Sequence, residues 1–483
     1  MHLHVSIELL KTLNNDELSR LGEFVRSPYF NKREAVVKLF DLISKHAPEY
    51  TSPALKKESL YKKLFPGKAY NEQTLRSRMS ELSSLIKEFL IQVRSEQQVF
   101  DRKKYFIKEL LQRKKFDLCE KQIKEGIAVI DDIKKFDQDL LMEKSELLTH
   151  YNYLLHMKDL KHDAMKLSYE MGELVINYFL IDILKMSTTI LCSEVEIKNT
   201  EKGSYIKEFL DKLDMRSYLN FLKKKNDVHY PMVAISFFAN ESLLDPQNEN
   251  NFYSLKELIF TYHGNFTMPE LYNYWTMLSN AAYVNYLSKG KKFLNEGHEI
   301  NKFFIDNRLY DDSKPFSVTG YQNVLTNSLL VNDLDWGEKF VDDFKDKLPK
   351  EVIQNRYNYC KAILCFQRKK YNESIEFLSK VEPIDWDLKI NVRFNYFQNY
   401  YELGMGEQVF SLLDPFRHFT ANNIDKTPEY MEERIKNTLK FMGKMSNAKF
   451  GGKKLDYAIF KETEETPNVL FKKWIIEKMK ELI

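Results

Sequence analysis

The sequence predicts an all-α protein, and three observations carry that expectation. Prolines stand at 28, 48, 53 and 66 and the next is Pro231, so 67–230 is interrupted only by glycines at 67, 126, 172 and 203. Apolar residues there recur at three- and four-residue spacings, as in Leu75, Met79, Leu82, Ile86, Phe89, Leu90 and Val93, the stripe of an amphipathic helix. No sustained period-two alternation bounded by turn residues occurs, and 15 Gly with 13 Pro are too few for a large β protein among 483 residues.

Taken in order, residues 1–95 read as a compact N-terminal helical domain. Asp16–Arg26 forms a helix that SPYFN (27–31) breaks, and Asn31 is placed to cap the next, Lys32–Lys45. A short helix, Lys57–Leu64, ends at Pro66-Gly67, and Asn71 caps a long helix running to about Ser95. Residues 96–445 continue as helix after helix, with loops expected at 245–251, 310–315 and 421–428. Residues 446–483 are expected to hold a flexible basic loop (446–455) and a C-terminal capping helix (468–483) carrying Trp474, Ile475 and Met479.

The best internal repeat lies at 350–420, where two helix pairs align at a 35-residue offset. Ala362, Cys365, Tyr371, Ser374, Leu378 and Val381 match Phe397, Tyr400, Gly406, Val409, Leu413 and Phe416. This resembles the tetratricopeptide pattern, although Lys369 stands where Gly404 supplies the turn glycine and bulky Phe397 replaces a small residue. A weaker pair joins Val324–Val331 to Trp336–Leu348. By that resemblance 96–445 is an irregular α-solenoid whose first helices line a concave groove. Arg356, Tyr359, Ile363, Phe366, Phe394, Gln398 and Tyr401 would then face a bound peptide. The same aromatics also suit the gaps between helices. As a whole the chain resembles a set of bacterial all-helical proteins that share the N-terminal SPYFN segment, and that resemblance brings no activity with it.

Charge is localised. Residues 51–120 hold 16 Lys+Arg against 9 Asp+Glu, whereas 1–50 balance at seven each and the chain as a whole is +3. Arg76, Lys87 and Arg94 share one stripe of the long helix with Ser80 and Ser83. Residues 60–82 also resemble the helical part of bacterial winged-helix regulators, which would make this the recognition helix, with Arg76 and Ser80 near bases. After Leu90, however, the pattern stays helical and offers no β-hairpin wing. A solvated basic face on a structural helix explains the same residues.

No phosphate-cradling GxxxxGK[ST], GxSxG, HExxH or CxxC occurs, and no histidine follows a glutamate by three residues. His150, His156 and His162 are spaced by six, which turns successive imidazoles roughly 120° apart on a helix. No catalytic, cofactor or metal site is therefore expected. Four cysteines (Cys119, Cys192, Cys360, Cys365) point to a reducing, cytoplasmic setting. The apolar run Leu174–Leu191 carries Asp182 and Lys185, so it is expected as a core helix and no membrane span. The expected function is a non-catalytic scaffold or adaptor for a protein or peptide; the alternative is a nucleic-acid-binding regulator.

Overall fold

The computed structural model describes residues 2–97, 99–196, 205–310, 315–383, 386–423 and 429–483. Its described residues form 24 α-helices, with no strand among them and one isolated bridge between Phe136 and Phe266. By contacts the chain divides into two units, Met1–Asp132 with Glu146–Ser168, and Ile133–Ser145 with Tyr169–Ile483.

The first unit opens with α1 (His2–Lys11), α2 (Asn15–Arg26), α3 (Glu34–Ser44), α4 (Lys57–Leu64) and α5 (Glu72–Gln97). Each of the first four packs on α5, whose Leu75, Met79, Leu82, Ile86 and Phe89 are buried, as their spacing predicts. Asn14 and Glu17 close a capping box on α2, and the Asn71 side chain accepts from Thr74 N–H at 2.8 Å to cap α5. Asn31 does not cap α3. Its side chain accepts from Arg33 N–H and donates to Val25 O, folding the SPYFN turn back on α2, so α3 begins only at Glu34. Beyond α5 come α6 (Val99–Gln112) and α7 (Phe116–Asp132). A Cβ at Gly126 would lie 2.9 Å from Leu147 and 3.1 Å from Lys103, which fixes how tightly this part of the unit closes.

Helices α8 (Gln138–Met157) and α9 (Lys161–Glu196) carry residues of both units. The second unit continues through α10 (Tyr205–Leu210), α11 (Met215–Lys224), α12 (Tyr230–Leu244), α13 (Glu249–Tyr262), α14 (Met268–Lys289) and α15 (Lys292–Asp306). It then runs through α16 (Val318–Val331), α17 (Leu334–Phe344), α18 (Ile353–Gln367), α19 (Tyr371–Ser379), α20 (Trp386–Glu402) and α21 (Gly406–Ala421). The last helices are α22 (Glu429–Phe450), α23 (Tyr457–Glu465) and α24 (Lys472–Lys480). From α14 to α22 each helix packs on the next, and α16 also meets α18 as α18 meets α20. Residues 311–314 and 424–428, within two expected loops, lie outside the described residues; the loop expected at 245–251 occupies only 245–248.

Seven of the helix-to-helix turns share one chemistry. A residue with positive φ ends the first helix, and the next N–H bonds the carbonyl five residues back. Among the described residues this occurs at Lys114, Asp159, Asn226, Arg308, Asn332, Lys369 and Gly404, with N–H···O distances from 2.9 to 3.0 Å. Lys369 (φ 60°) and Gly404 (φ 74°) stand 35 residues apart, and α19 and α21 each begin two residues later. Of the twelve residues aligned by that offset, nine are buried; Tyr371, Tyr400 and Gly406 are half-buried. Buried Ser374 ties the first pair together, donating to Ala362 O at 2.8 Å and accepting from Asn399 Nδ2 at 2.9 Å.

The segment expected as a loop over 446–455 is different. Helix α22 runs to Phe450 because Met442, Met445 and Ser446 are buried on its inner face, and only 451–456 is irregular. The expected 468–483 helix is shorter, Lys472–Lys480, and follows α23; its Ile475 and Met479 join the core of Phe394, Phe416 and Phe441.

Helix α9 is the one described helix long and apolar enough to cross a membrane, with 39% of its apolar window buried. The expectation of a core helix holds for one face only. On that face Lys185 bonds both carboxylate oxygens of Glu270 at 2.9 and 3.1 Å and the Gln138 side-chain oxygen at 2.8 Å. Glu270, 5% exposed, also accepts from Gln138 N–H at 3.3 Å, and Lys185 lies over the Tyr274 ring. The pair therefore locks α9 onto the first turn of α14.

Candidate peptide groove

On α14, Tyr272, Thr276, Ser279, Tyr283 and Tyr286 follow one another at alternating four- and three-residue steps, which places them on one face. On α16, Gly320, Asn323, Asn327 and Leu330 do the same. Between the two faces lies a cleft of about 450 Å³ whose base is α15. Its floor is Trp275, Ala282, Phe293 and Val324, all buried; Trp275 is held by its indole N–H donating to Asn301 Oδ1 at 3.1 Å. Gly297 keeps the floor low, because a Cβ there would come within 3.2 Å of the Asn327 amide. Tyr283 and Leu330, each about half exposed, stand at the mouth.

Two features of the lining bear on chemistry. It contains no Asp, Glu, Lys or Arg. The Ser279 hydroxyl and the Asn327 carbonyl oxygen are buried without a hydrogen-bond partner among the described residues. A wall of tyrosine rings with amide and hydroxyl groups can bury an apolar side chain and bond a peptide backbone at once.

The groove residues expected from sequence sit elsewhere. Arg356, Tyr359, Phe394, Gln398 and Tyr401 are buried, and only Ile363 and Phe366 reach solvent in part. Tyr359 packs with Ala362 and Leu378 and accepts from Asn395 Nδ2 at 3.3 Å. Phe394 meets Phe416 and Phe471, and Tyr401 meets Trp474 and lies under the Lys449 ammonium at 4.0 Å. Helices α18 and α20 bear buried residues nearly all round, so their aromatics fill the interior rather than line a surface. In the sequence the α14 face carries no repeat signal and the weaker pair at Val324–Val331 marks only part of α16; the four-three alternation of tyrosine and hydroxyl residues is the available sign.

Arg76, Ser80, Lys87 and Arg94 do share an exposed face of α5. Ser83 is not on it: it is buried, its hydroxyl 2.5 Å from that of Ser6. Arg76 bonds Glu72 at 3.0 Å, and Lys57 and then Arg76 hold the Glu72 carboxyl below its usual range. Exposed Ile91 interrupts the stripe. Further along, Lys103 pairs with Glu125, and Lys104 and Lys108 both pair with Glu146. The positive balance of 51–120 is thus partly neutralised across helices.

Among the described residues no three His, Cys, Asp or Glu side chains gather as a metal ion requires. None of the four cysteines is in a disulfide, three of them are buried, and burial pushes the Cys360 thiol up to about 12. No family model, curated protein or solved structure matches this chain.

Proposed function

We propose that this protein is a non-catalytic scaffold or adaptor. In this reading its second unit is an irregular tetratricopeptide-like solenoid that holds an uncharged, extended segment of a partner in the α14–α16 groove. The observation that carries it is the groove itself: a cleft of about 450 Å³ with no Asp, Glu, Lys or Arg in its lining and with tyrosine, threonine and asparagine side chains along its walls. The 35-residue recurrence of the left-handed turn and of the second-helix start supports the repeat assignment. Cysteines outside any disulfide fit a reducing, cytoplasmic setting.

The test is selection of a random-peptide display library on the intact chain. Selected peptides are expected to be uncharged at the bound positions. Replacing Tyr283 and Asn323 by alanine should weaken them at least about tenfold, as aromatic anchors dominate such interfaces. Selected peptides indifferent to both substitutions would overturn the assignment. A second reading, nucleic-acid binding by the α5 face, is favoured by the shared exposure of Arg76, Ser80, Lys87 and Arg94. The pairing of neighbouring lysines with Glu125 and Glu146 weighs against it.

A further inference from the structure

Helix α9 is apolar on almost every side, the composition of a helix covered all round. Its own unit covers one side, where Leu174, Asn177, Ile181, Leu184 and Thr188 are buried. The other side is less covered, although Phe179 meets Phe209 of α10 edge-on at 5.5 Å and Ile183 is half-buried. Tyr169, Ile176, Ile183 and Ile190 recur every seven residues, with Gly172, Phe179 and Met186 three residues after the first three of them. Tyr169 is 70% exposed, Ile176 49%, Phe179 44%, Met186 51% and Ile190 37%.

We propose that this stripe is the seam of a homodimer, α9 of one copy against α9 of another. The period decides the occupant. A stripe that repeats at 3.5 rather than 3.6 residues stays in register along a second helix of the same period, and a second copy supplies one. Isoleucine fills the same heptad position three times, at 176, 183 and 190, with Gly172, Phe179 and Met186 at the other core position. Gly172 has no neighbour within 4 Å of where a Cβ would stand, leaving room for a facing side chain. The exposed parts of the stripe and adjoining Val175 amount to roughly 600 Å² per copy, or about 1,200 Å² for a pair, the lower bound of a specific stable interface. A lipid surface is the weaker match, because Lys185 and Glu270 hold the opposite side of α9 to α14 and keep the helix in its own fold.

Sedimentation velocity of the full chain from nanomolar to high micromolar concentration tests this. The expected result is a concentration-dependent dimer. Ile176→Glu with Phe179→Glu should raise its dissociation constant at least about a hundredfold. The helical content of that variant should change little, since both side chains are about half exposed and the contact given up is the edge-on one between Phe179 and Phe209. Val228→Glu, at another exposed apolar residue outside the stripe, should dimerise as the parent does. If the double variant loses helical signal, Tyr169→Glu at the most exposed stripe position replaces it. A chain monomeric throughout, or a dimer indifferent to the stripe variants, overturns the proposal. So does a monomer that floats with phosphatidylcholine–phosphatidylglycerol vesicles, which would assign the stripe to lipid.

Discussion

Replacing Lys185 by methionine isolates the contact that fixes α9 to α14. Methionine fills much of the lysine stem but removes the cation, leaving the Glu270 carboxylate 5% exposed. Its remaining donor among the bonds described above is Gln138 N–H at 3.3 Å. Breaking one partner of a buried pair costs about 3–5 kcal/mol, because the surviving charge stays desolvated. For a unit of this size, each kcal/mol shifts the melting temperature by about 2 °C, so a fall of roughly 5–10 °C is expected. Removing both charges, Lys185→Met with Glu270→Met, should cost less than the sum of the single changes, because no charge is left uncompensated. Urea denaturation of the four proteins, followed by far-UV circular dichroism, measures the cycle. A loss under about 1 kcal/mol for Lys185→Met, or strict additivity in the double variant, would refute the claim that this pair is a desolvated unit.

The repeat register is checked at Leu378 and Leu413, matched positions 1% and 3% exposed. Leucine to alanine at either should cost about 2–5 kcal/mol by urea denaturation, and losses below about 0.5 kcal/mol at both would break the register. The Glu338 carboxyl is held below its usual range chiefly by the Lys361 hydrogen bond, with Arg368 adding to it. A depressed folded-state value contributes stability above the unfolded value and loses it as pH falls. Glu338→Gln should therefore cost about 1 kcal/mol near pH 7 and progressively less as pH falls through the folded-state value; a cost that does not shrink as the solution is acidified would contradict this. For the basic face, duplex DNA binding measured by anisotropy across salt concentrations is expected to be absent at physiological ionic strength. Steep salt dependence, with a slope flattened by about two to three units in Arg76→Ala/Lys87→Ala/Arg94→Ala, would make the protein a nucleic-acid reader.

The α5 helix was legible except at Ser83, which α1 buries: its cap at Asn71 and its buried stripe follow from side-chain chemistry and 3.6-residue periodicity, which are local properties. The all-helical class was legible for the same reason, from proline placement and spacing. Turns were legible where proline, glycine or a polar run marked them, as at SPYFN and 245–248. Gly404 announces its hairpin, but Lys369 adopts the same left-handed conformation because the flanking helices, packed on one another, impose it. Burial was the least legible. Tyr359, Phe394 and Tyr401 have the spacing and chemistry of groove residues, yet neighbouring helices enclose them. Tyr283 and Asn323, unmarked by any repeat, line the cleft. The sequence by itself determined which segments become helices, because capping, periodicity and breakers act within a few residues along the chain. Only the tertiary structure decided which helical faces are interior, which form the groove and which stay open, because that depends on side chains brought together from distant parts of the sequence.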